Sequence, residues 1–206
     1  MSVEPIPVIP ALDKKALRRT LRQRRQTLSR SSQRAAALRV AAVVSLRPEF
    51  INATYVAMYL AADGELDPAP LIALARAAGK RIYLPVLQPG KRLRFSEWRP
   101  QGLLHCNRLG LFEPAIKNYR APHRLDLVLM PLVGFDCRGG RLGMGGGFYD
   151  RTFAFLKPEG RPSQKRRPRL VGLAHALQQV DDLPVEIWDV PMTAVATDRG
   201  WITMRS

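Results

Sequence analysis

The sequence predicts a single α/β domain in three layers (α/β/α), with helices over both faces of a largely parallel mixed sheet. Three observations predict it. Short apolar runs of strand length alternate with helix-length segments along the chain. The most apolar of these runs leads directly into a glycine-rich loop and then a helix. The length, 206 residues at 46% hydrophobic content, suits one domain with a sizeable core. That domain is expected to span 1–206, with a proline-rich lead over 1–11 and an exposed basic loop over 157–169.

After Pro5, Pro7 and Pro10, residues 13–28 read as a helix. Asp13 caps it, and Leu17, Leu21 and Leu28 mark one face between basic residues. A second helix is expected from about Ser32 to Leu46, with an alanine-rich apolar side. "TYVAMYL" (54–60) is a continuous β-rich run of strand length. In "LDPAPLIALARAAGK", Asp67 is the expected N-cap, Pro68 the first helical residue and Gly79 the residue past the end. "RIYLPV" (81–86) is the next strand, "QPGK" a turn, and "LRFSEW" (93–98) an alternating strand returning antiparallel. "LDLVLMPLVGF" (125–135) is the apolar strand before the glycine loop, and a helix is expected from about Gly147 to Leu156. "LVGLAHA" (170–176) and "TAVATD" (193–198) complete the sheet.

Composition narrows the function. No run of eighteen apolar residues occurs, so no membrane span is expected. The start lacks a basic region followed by an apolar one, so no secretory signal is read and a cytoplasmic protein is expected. Cys106, Cys137, His105, His123 and His175 do not form a metal-ligand pattern, and no disulfide is expected in a reducing compartment. The charge is distinctive: 33 Lys and Arg against 17 Asp and Glu give +16, with a pI near 11.0. Residues 14–39 hold ten basic residues and no acidic one, and 157–169 hold six against Glu159. Polyanions are the expected partners: nucleic acid, nucleotide phosphates or a substrate with several carboxylates.

"GGRLGMGGGFYDR" (139–151) concentrates Gly139, Gly140, Gly143, Gly145, Gly146 and Gly147 in nine positions. Each costs roughly 0.5–1 kcal/mol relative to alanine in regular structure. Residues without Cβ let backbone N–H groups converge on an anion, and a following helix adds its partial positive charge. Arg141 lies inside this cradle. Asp150 sits in the first helical turn, where a carboxylate can hold Mg²⁺ beside phosphates. The loop lacks the G-K-[ST] ending of a P-loop, and from Gly143 the sixth position is Phe148, so G-x-G-x-x-G fails too. Glycine content alone leaves a flexible surface loop open, and Asp150 alone also reads as a helix-dipole partner.

The same stretch closely resembles the most recognisable motif of the 5-formyltetrahydrofolate cyclo-ligases (5,10-methenyltetrahydrofolate synthetases). Other stretches resemble that family in its own order: "DKKALRRTLRQRRQTLS", "YLAADGELD", "KRIYLPV", "NRLGLFEP" and "LVGLAHALQQVDDLPVEIWDVPMTAVATDRG". The resemblance covers nearly the whole chain. It implies a cytoplasmic enzyme that uses ATP and Mg²⁺ to close 5-formyltetrahydrofolate to 5,10-methenyltetrahydrofolate, through a phosphorylated formyl oxygen, releasing ADP and phosphate.

The resemblance also implies roles for residues. ATP contacts fall on Lys14, Lys15, Arg18 and the loop Arg141, Gly143, Met144, Gly145, Gly146, Gly147, Phe148 and Tyr149. Arg141 and Tyr149 become the catalytic candidates, and Asp150, with Asp189 as a second acid, the Mg²⁺ ligands. Where many members carry an aspartate after Met192, this chain has Thr193. Glu65 matches a glutamate that contacts the pterin, a bidentate pairing for which a carboxylate is suited. Leu60 shares that wall, and Phe148 and Tyr149 flank the formyl group and N10. Trp98 is open between stacking on the ligand and packing. No general base stands out.

A folate carrying several glutamates is a suitable substrate for so basic a chain, and a monomer is expected. Two other readings stay open. One is a cyclo-ligase-like protein that binds RNA through 14–39 and 157–169, although no strand carries the aromatics of RNA-binding sheets. The other is a different ATP-dependent kinase or ligase on the same architecture.

Overall fold

The computed structural model describes residues 13–157 and 167–204. The proline-rich lead and most of the expected basic loop therefore lie outside the described residues. Helix α1 (Lys14–Gln26) starts as its cap dictates, with Asp13 Oδ1 accepting the Lys15 N–H at 2.9 Å. Helix α2 (Arg30–Ser45) begins two residues before the expected start, because Ser29 caps it by accepting the Ser32 N–H. A single turn, α3 (Pro48–Ile51), leads to β1 (Tyr55–Ala57). Helix α4 (Ala69–Ala77) is punctuated one residue later than expected. Pro68 takes the cap position, Asp67 Oδ1 accepts the Ala69 N–H at 2.9 Å, and Gly79 turns away at φ 70°.

Strands β2 (Arg81–Gln88) and β3 (Arg92–Glu97) flank the expected turn, in which Gly90 has φ 73°. Next come a small hairpin of β4 (Leu104–Cys106) and β5 (Phe112–Pro114), and a two-residue edge strand β6 (Tyr119–Arg120). The apolar run expected as one strand over 125–135 is divided. It forms β7 (Leu127–Pro131) and β8 (Gly134–Phe135), and β8 pairs back with β9 (Arg141–Leu142). Helix α5 (Phe148–Phe153), β10 (Arg169–Leu173), β11 (Ala194–Thr197) and β12 (Gly200–Thr203) follow.

The eight-stranded sheet has the order β12-β11-β10-β7-β1-β2-β3-β6. It is parallel from β11 through β2 and antiparallel at both margins. The period of two is obeyed strictly at the centre. Leu127 and Leu129 join Val56, Val171 and Ala196 in a core under α2 and α4. Val128 and Met130 face the other way, with Ala57, Leu170, Val195 and Phe153 of α5. Irregular chain around Leu132, Phe135, Val190 and Met192 closes that second face beside α5.

The chain leaves β1 through α4 to β2 on one side, then returns to place β7 on β1's other side. Loops after β1 and β7 diverge there, at the carboxyl ends of the parallel strands, where α/β sheets open a binding crevice. Helix α1 docks beside this crevice through a third apolar cluster: Leu21, Val133, Leu142 and Leu183, with Leu17 and Val180 against it.

Candidate active site at the glycine loop

The glycine motif serves two loops rather than one. Gly139 and Gly140 form the turn of the β8–β9 hairpin around buried Asp136. Its Oδ1 accepts the N–H groups of Arg138 and Gly140 at 2.9 and 2.8 Å, and its Oδ2 accepts that of Leu183 at 3.0 Å. A Cβ at Gly140 would lie 2.6 Å from Asp136 Oδ2, so the turn admits only glycine for structural reasons. Gly143 to Gly147 form the loop before α5.

In that loop the donors and acceptors are treated differently. From Met144 to Asp150 no backbone N–H reaches an acceptor among the described residues. Three of the loop's carbonyls, by contrast, are taken. Arg18 Nε donates to Gly143 O at 2.8 Å, Arg151 Nη1 to Gly146 O at 2.6 Å, and the Arg151 N–H to Gly147 O at 3.1 Å. Gly145 and Gly147, at φ 93° and 64°, hold left-handed conformations that make this possible. Open amides bordered by arginine side chains make an anion nest. The helix dipole adds less than the sequence suggested, because α5 is only six residues long.

Arg141 and Asp150 are joined to each other at the loop's inner edge. Arg141 Nη2 donates to Asp150 Oδ1 and Arg141 Nη1 to Val190 O, both as short contacts. Asp150 Oδ1 also accepts the Val190 N–H at 3.1 Å. Burial pulls the Arg141 pKa down, while the charges of Asp150 and Asp189 hold it up. Asp189 uses its Oδ2 to accept the Glu186 N–H at 2.9 Å. Among the described residues no group of three or more His, Cys, Asp or Glu is placed to hold a metal ion. Asp150 Oδ2 takes none of the hydrogen bonds of the described residues, which leaves one carboxylate oxygen at the start of α5 without a hydrogen bond among them. That suits Mg²⁺, which takes one or two carboxylates and draws its other ligands from phosphate and water.

Lys14 bonds Glu186 at 3.2 Å, linking the start of α1 to the segment before Val190. Lys15 is exposed on the next position. Glu65 follows β1 and folds back on its own loop, its Oε2 accepting the Ala62 N–H at 3.1 Å. Burial raises its pKa, opposed by that hydrogen bond and by the charge of Arg25. Tyr149 lies within electrostatic range of both Glu65 and Arg141, and burial raises its phenol pKa well beyond the usual value. The phenol is therefore neutral near pH 7. Leu60 packs at the border of the α2–α4 core, and Phe148 and Tyr149 border the opposite one. Glu65 and Tyr149 are thus near enough to act on each other, with Leu60 bordering one face of the sheet and Phe148 the other.

Two open assignments are decided by position. Trp98 receives Arg76 over its ring at 4.1 Å and donates from Nε1 to Gly102 O at 2.9 Å. Its backbone N–H bonds Ile82 O at the start of β2, the end of the sheet opposite the glycine loop, so it packs there. Thr193 turns its hydroxyl onto Leu170 O at 2.7 Å and serves the sheet.

Sequence reasoning missed Arg25 and Asp63. The apolar line Leu17–Leu21 continues not to Leu28 but into Arg25, which is fully buried. Its only signal was its place four residues after Leu21 on the inward face. Asp63, two residues before Glu65, collects Arg22 at 2.7 Å, Arg25 at 2.6 Å and a short contact from Gln26.

Comparison with known proteins shows the family and the fold. Residues 11–198 match the model of the 5-formyltetrahydrofolate cyclo-ligase family. The chain is 44% identical over 181 residues to the 5-formyltetrahydrofolate cyclo-ligase of Escherichia coli K12, covering 86% of this chain and 96% of that one. It is 40% identical to the Haemophilus influenzae protein of the same name over 68% of this chain and 74% of that one. The solution structure of Aquifex aeolicus 5,10-methenyltetrahydrofolate synthetase superposes with a TM-score of 0.78 at 27% identity. That match covers 94% of this chain and 93% of that one.

Proposed function

Because the chain belongs to the 5-formyltetrahydrofolate cyclo-ligase family, we propose that it closes 5-formyltetrahydrofolate to 5,10-methenyltetrahydrofolate at the expense of ATP. The formyl oxygen attacks the γ-phosphorus and ADP leaves. N10 then attacks the activated carbon, the C–O bond breaks, and oxygen departs as phosphate, which can also accept the N10 proton. The amide oxygen is otherwise a poor leaving group, which is why ATP is needed.

The observation that carries this reading is the run of open amides from Met144 to Asp150 with the adjacent carbonyls occupied by Arg18 and Arg151. Phosphoryl transfer depends mainly on positioning and charge neutralisation, and these groups supply both. Lys14, Lys15 and Arg18 from α1 and the amides of Gly143 to Tyr149 would hold the phosphates. Asp150, supported by Arg141 and with Asp189 nearby, would hold Mg²⁺, whose charge offsets that of the phosphates when bound. Glu65 would pair with the pterin, with Leu60 along the same wall. Tyr149, kept protonated by burial, would donate from its hydroxyl near the formyl group, with Phe148 excluding water.

The basic helix supports this reading over nucleic-acid binding, because Arg18, Arg22 and Arg25 are engaged with loops of the crevice. The test is spectroscopic. Full-length protein with ATP, Mg²⁺ and 5-formyltetrahydrofolate should generate the near-ultraviolet band of the methenyl product. No band, with the protein folded, would overturn the proposal.

A further inference from the structure

Resting on that reading, we infer that Arg25 is the positioning residue for Glu65: it clamps the pterin-side loop to the helix that carries the phosphate-side cations. Its guanidinium is wholly buried and uses each nitrogen. Nε donates to Asp63 O at 2.8 Å, Nη2 to Asp63 Oδ2 at 2.6 Å, and Nη1 to Leu132 O at 3.1 Å. One side chain of α1 thus grips the loop after β1 and the segment after β7, on either side of the point where the sheet opens. The three acceptors are spread around the plane of the fork, one to each nitrogen. A lysine ammonium at the end of a flexible stem cannot hold that pattern.

The loop is shaped to meet this fork. Asp63 sits at φ 53°, an uncommon conformation for a residue with a side chain, and Gly64 follows at φ 73°. A Cβ on Gly64 would touch Arg25 Cγ at 3.5 Å. Glu65 comes immediately after. An ion pair with a buried member adds little net stability over a well-packed apolar substitute, so the pair is assigned to placement rather than stability. Arg22 and Gln26 also reach Asp63, but Arg22 is 41% exposed and approaches from the solvent side. The charged and titratable groups that act on Glu65 or feel it are Arg25 from α1, Asp63 from its own loop, Tyr59 after β1, and Tyr149 from α5.

The experiment compares Arg25→Met, Arg25→Lys, Asp63→Asn and Arg22→Ala in the full chain. It follows KM for each substrate and kcat/KM for 5-formyltetrahydrofolate across pH 5–8, with melting curves to verify folding. Arg25→Met is expected to raise the folate KM by about tenfold or more while the ATP KM stays within about twofold, as loss of ground-state placement predicts. It should also move the acid limb of the folate profile to higher pH, because Glu65 loses its positive neighbour. Arg25→Lys should recover the limb, through charge, but not the KM. Asp63→Asn should raise the folate KM and move the limb the opposite way, and it serves as the deciding variant if Arg25→Met does not fold. Arg22→Ala, which leaves the Arg25 fork on Asp63 in place, should change both clearly less than Arg25→Met does.

Equal rises in both KM values, or an acid limb that stays put in both Arg25→Met and Asp63→Asn, would overturn the inference and leave Arg25 as structural. Those results in an active wild type strike only the inference. A wild type that forms no methenyl product strikes the functional reading, and the role of Arg25 with it.

Discussion

Replacing Asp150 with asparagine separates the ion pair that this carboxylate makes with Arg141 from the Mg²⁺ contact proposed for it. Its partner Arg141 has a side chain only 6% exposed, and Asp150 itself is 20% exposed. Removing one member of a buried pair costs about 3–5 kcal/mol, because the other charge is left uncompensated. Here the site is partly open and asparagine keeps an acceptor for the Val190 N–H, so about 2–3 kcal/mol is expected. For a chain of 206 residues that corresponds to a fall in melting temperature of about 5–10 °C. Turnover, measured well below the new melting temperature by the methenyl absorbance, should fall about a hundredfold or more and need higher Mg²⁺. Adding Arg141→Met removes the stranded cation and should return most of the lost melting temperature. Wild-type turnover and Mg²⁺ dependence in Asp150→Asn would refute the metal assignment. Lost turnover with an unchanged melting temperature would refute the ion-pair reasoning.

Gly145→Ala places a side chain at φ 93°, a strain of about 1–2 kcal/mol; the ATP KM should rise about tenfold with the folate KM nearly unchanged, and an unaffected ATP KM would count against the amide cradle. Glu65→Gln should weaken folate and yet stabilise the free protein at neutral pH. Burial raises the Glu65 pKa, so the folded state is stabilised by the protonated form, and that contribution is lost as pH rises through the raised pKa. The variant's melting advantage should therefore be largest at pH 7–8 and shrink toward pH 5; a pH-independent difference would disprove the linkage. Trp98→Leu should lower the melting temperature while leaving both KM values within about twofold, since the ring packs at the far end of the sheet; a selective rise in folate KM would reopen its stacking role.

What was legible in the sequence was whatever local chemistry dictates. The Asp13 cap, Gly79 past the end of its helix and the continuous apolar Leu127–Met130 run each carry their instruction within a few residues. Strands β4, β5, β6, β8, β9 and β12 do not. They are two to four residues long, and distant pairing rather than periodicity makes them strands. That is why the motif was read as one loop when Arg141–Leu142 in fact pairs with Gly134–Phe135. The same limit applies to the site. Bare glycines and a lone loop glutamate stand out in the resemblance, whereas Arg25 is one arginine in a run of them. Only the fold reveals which of these cations is inside.

That distinction changes what the positive charge of α1 is for. Lys14, Arg18, Arg22 and Arg25 lie at intervals of four, four and three, so at 3.6 residues per turn they share one face. Together they are bonded to three parts of the crevice wall: Lys14 to Glu186 before β11, Arg18 to Gly143 in the glycine loop, and Arg22 and Arg25 both to Asp63 before Glu65. The loops proposed to approach the nucleotide and the pterin come from distant parts of the sequence, and their own backbone bonds hold each loop to itself rather than to the others. A single rigid helix bonded to all of them fixes their relative positions more firmly than contacts between the loops alone. An excess of lysine and arginine that looks like a surface for polyanions thus includes four cations bonded to the crevice wall, and Lys15, Arg19 and Arg24 are the ones left exposed along the helix.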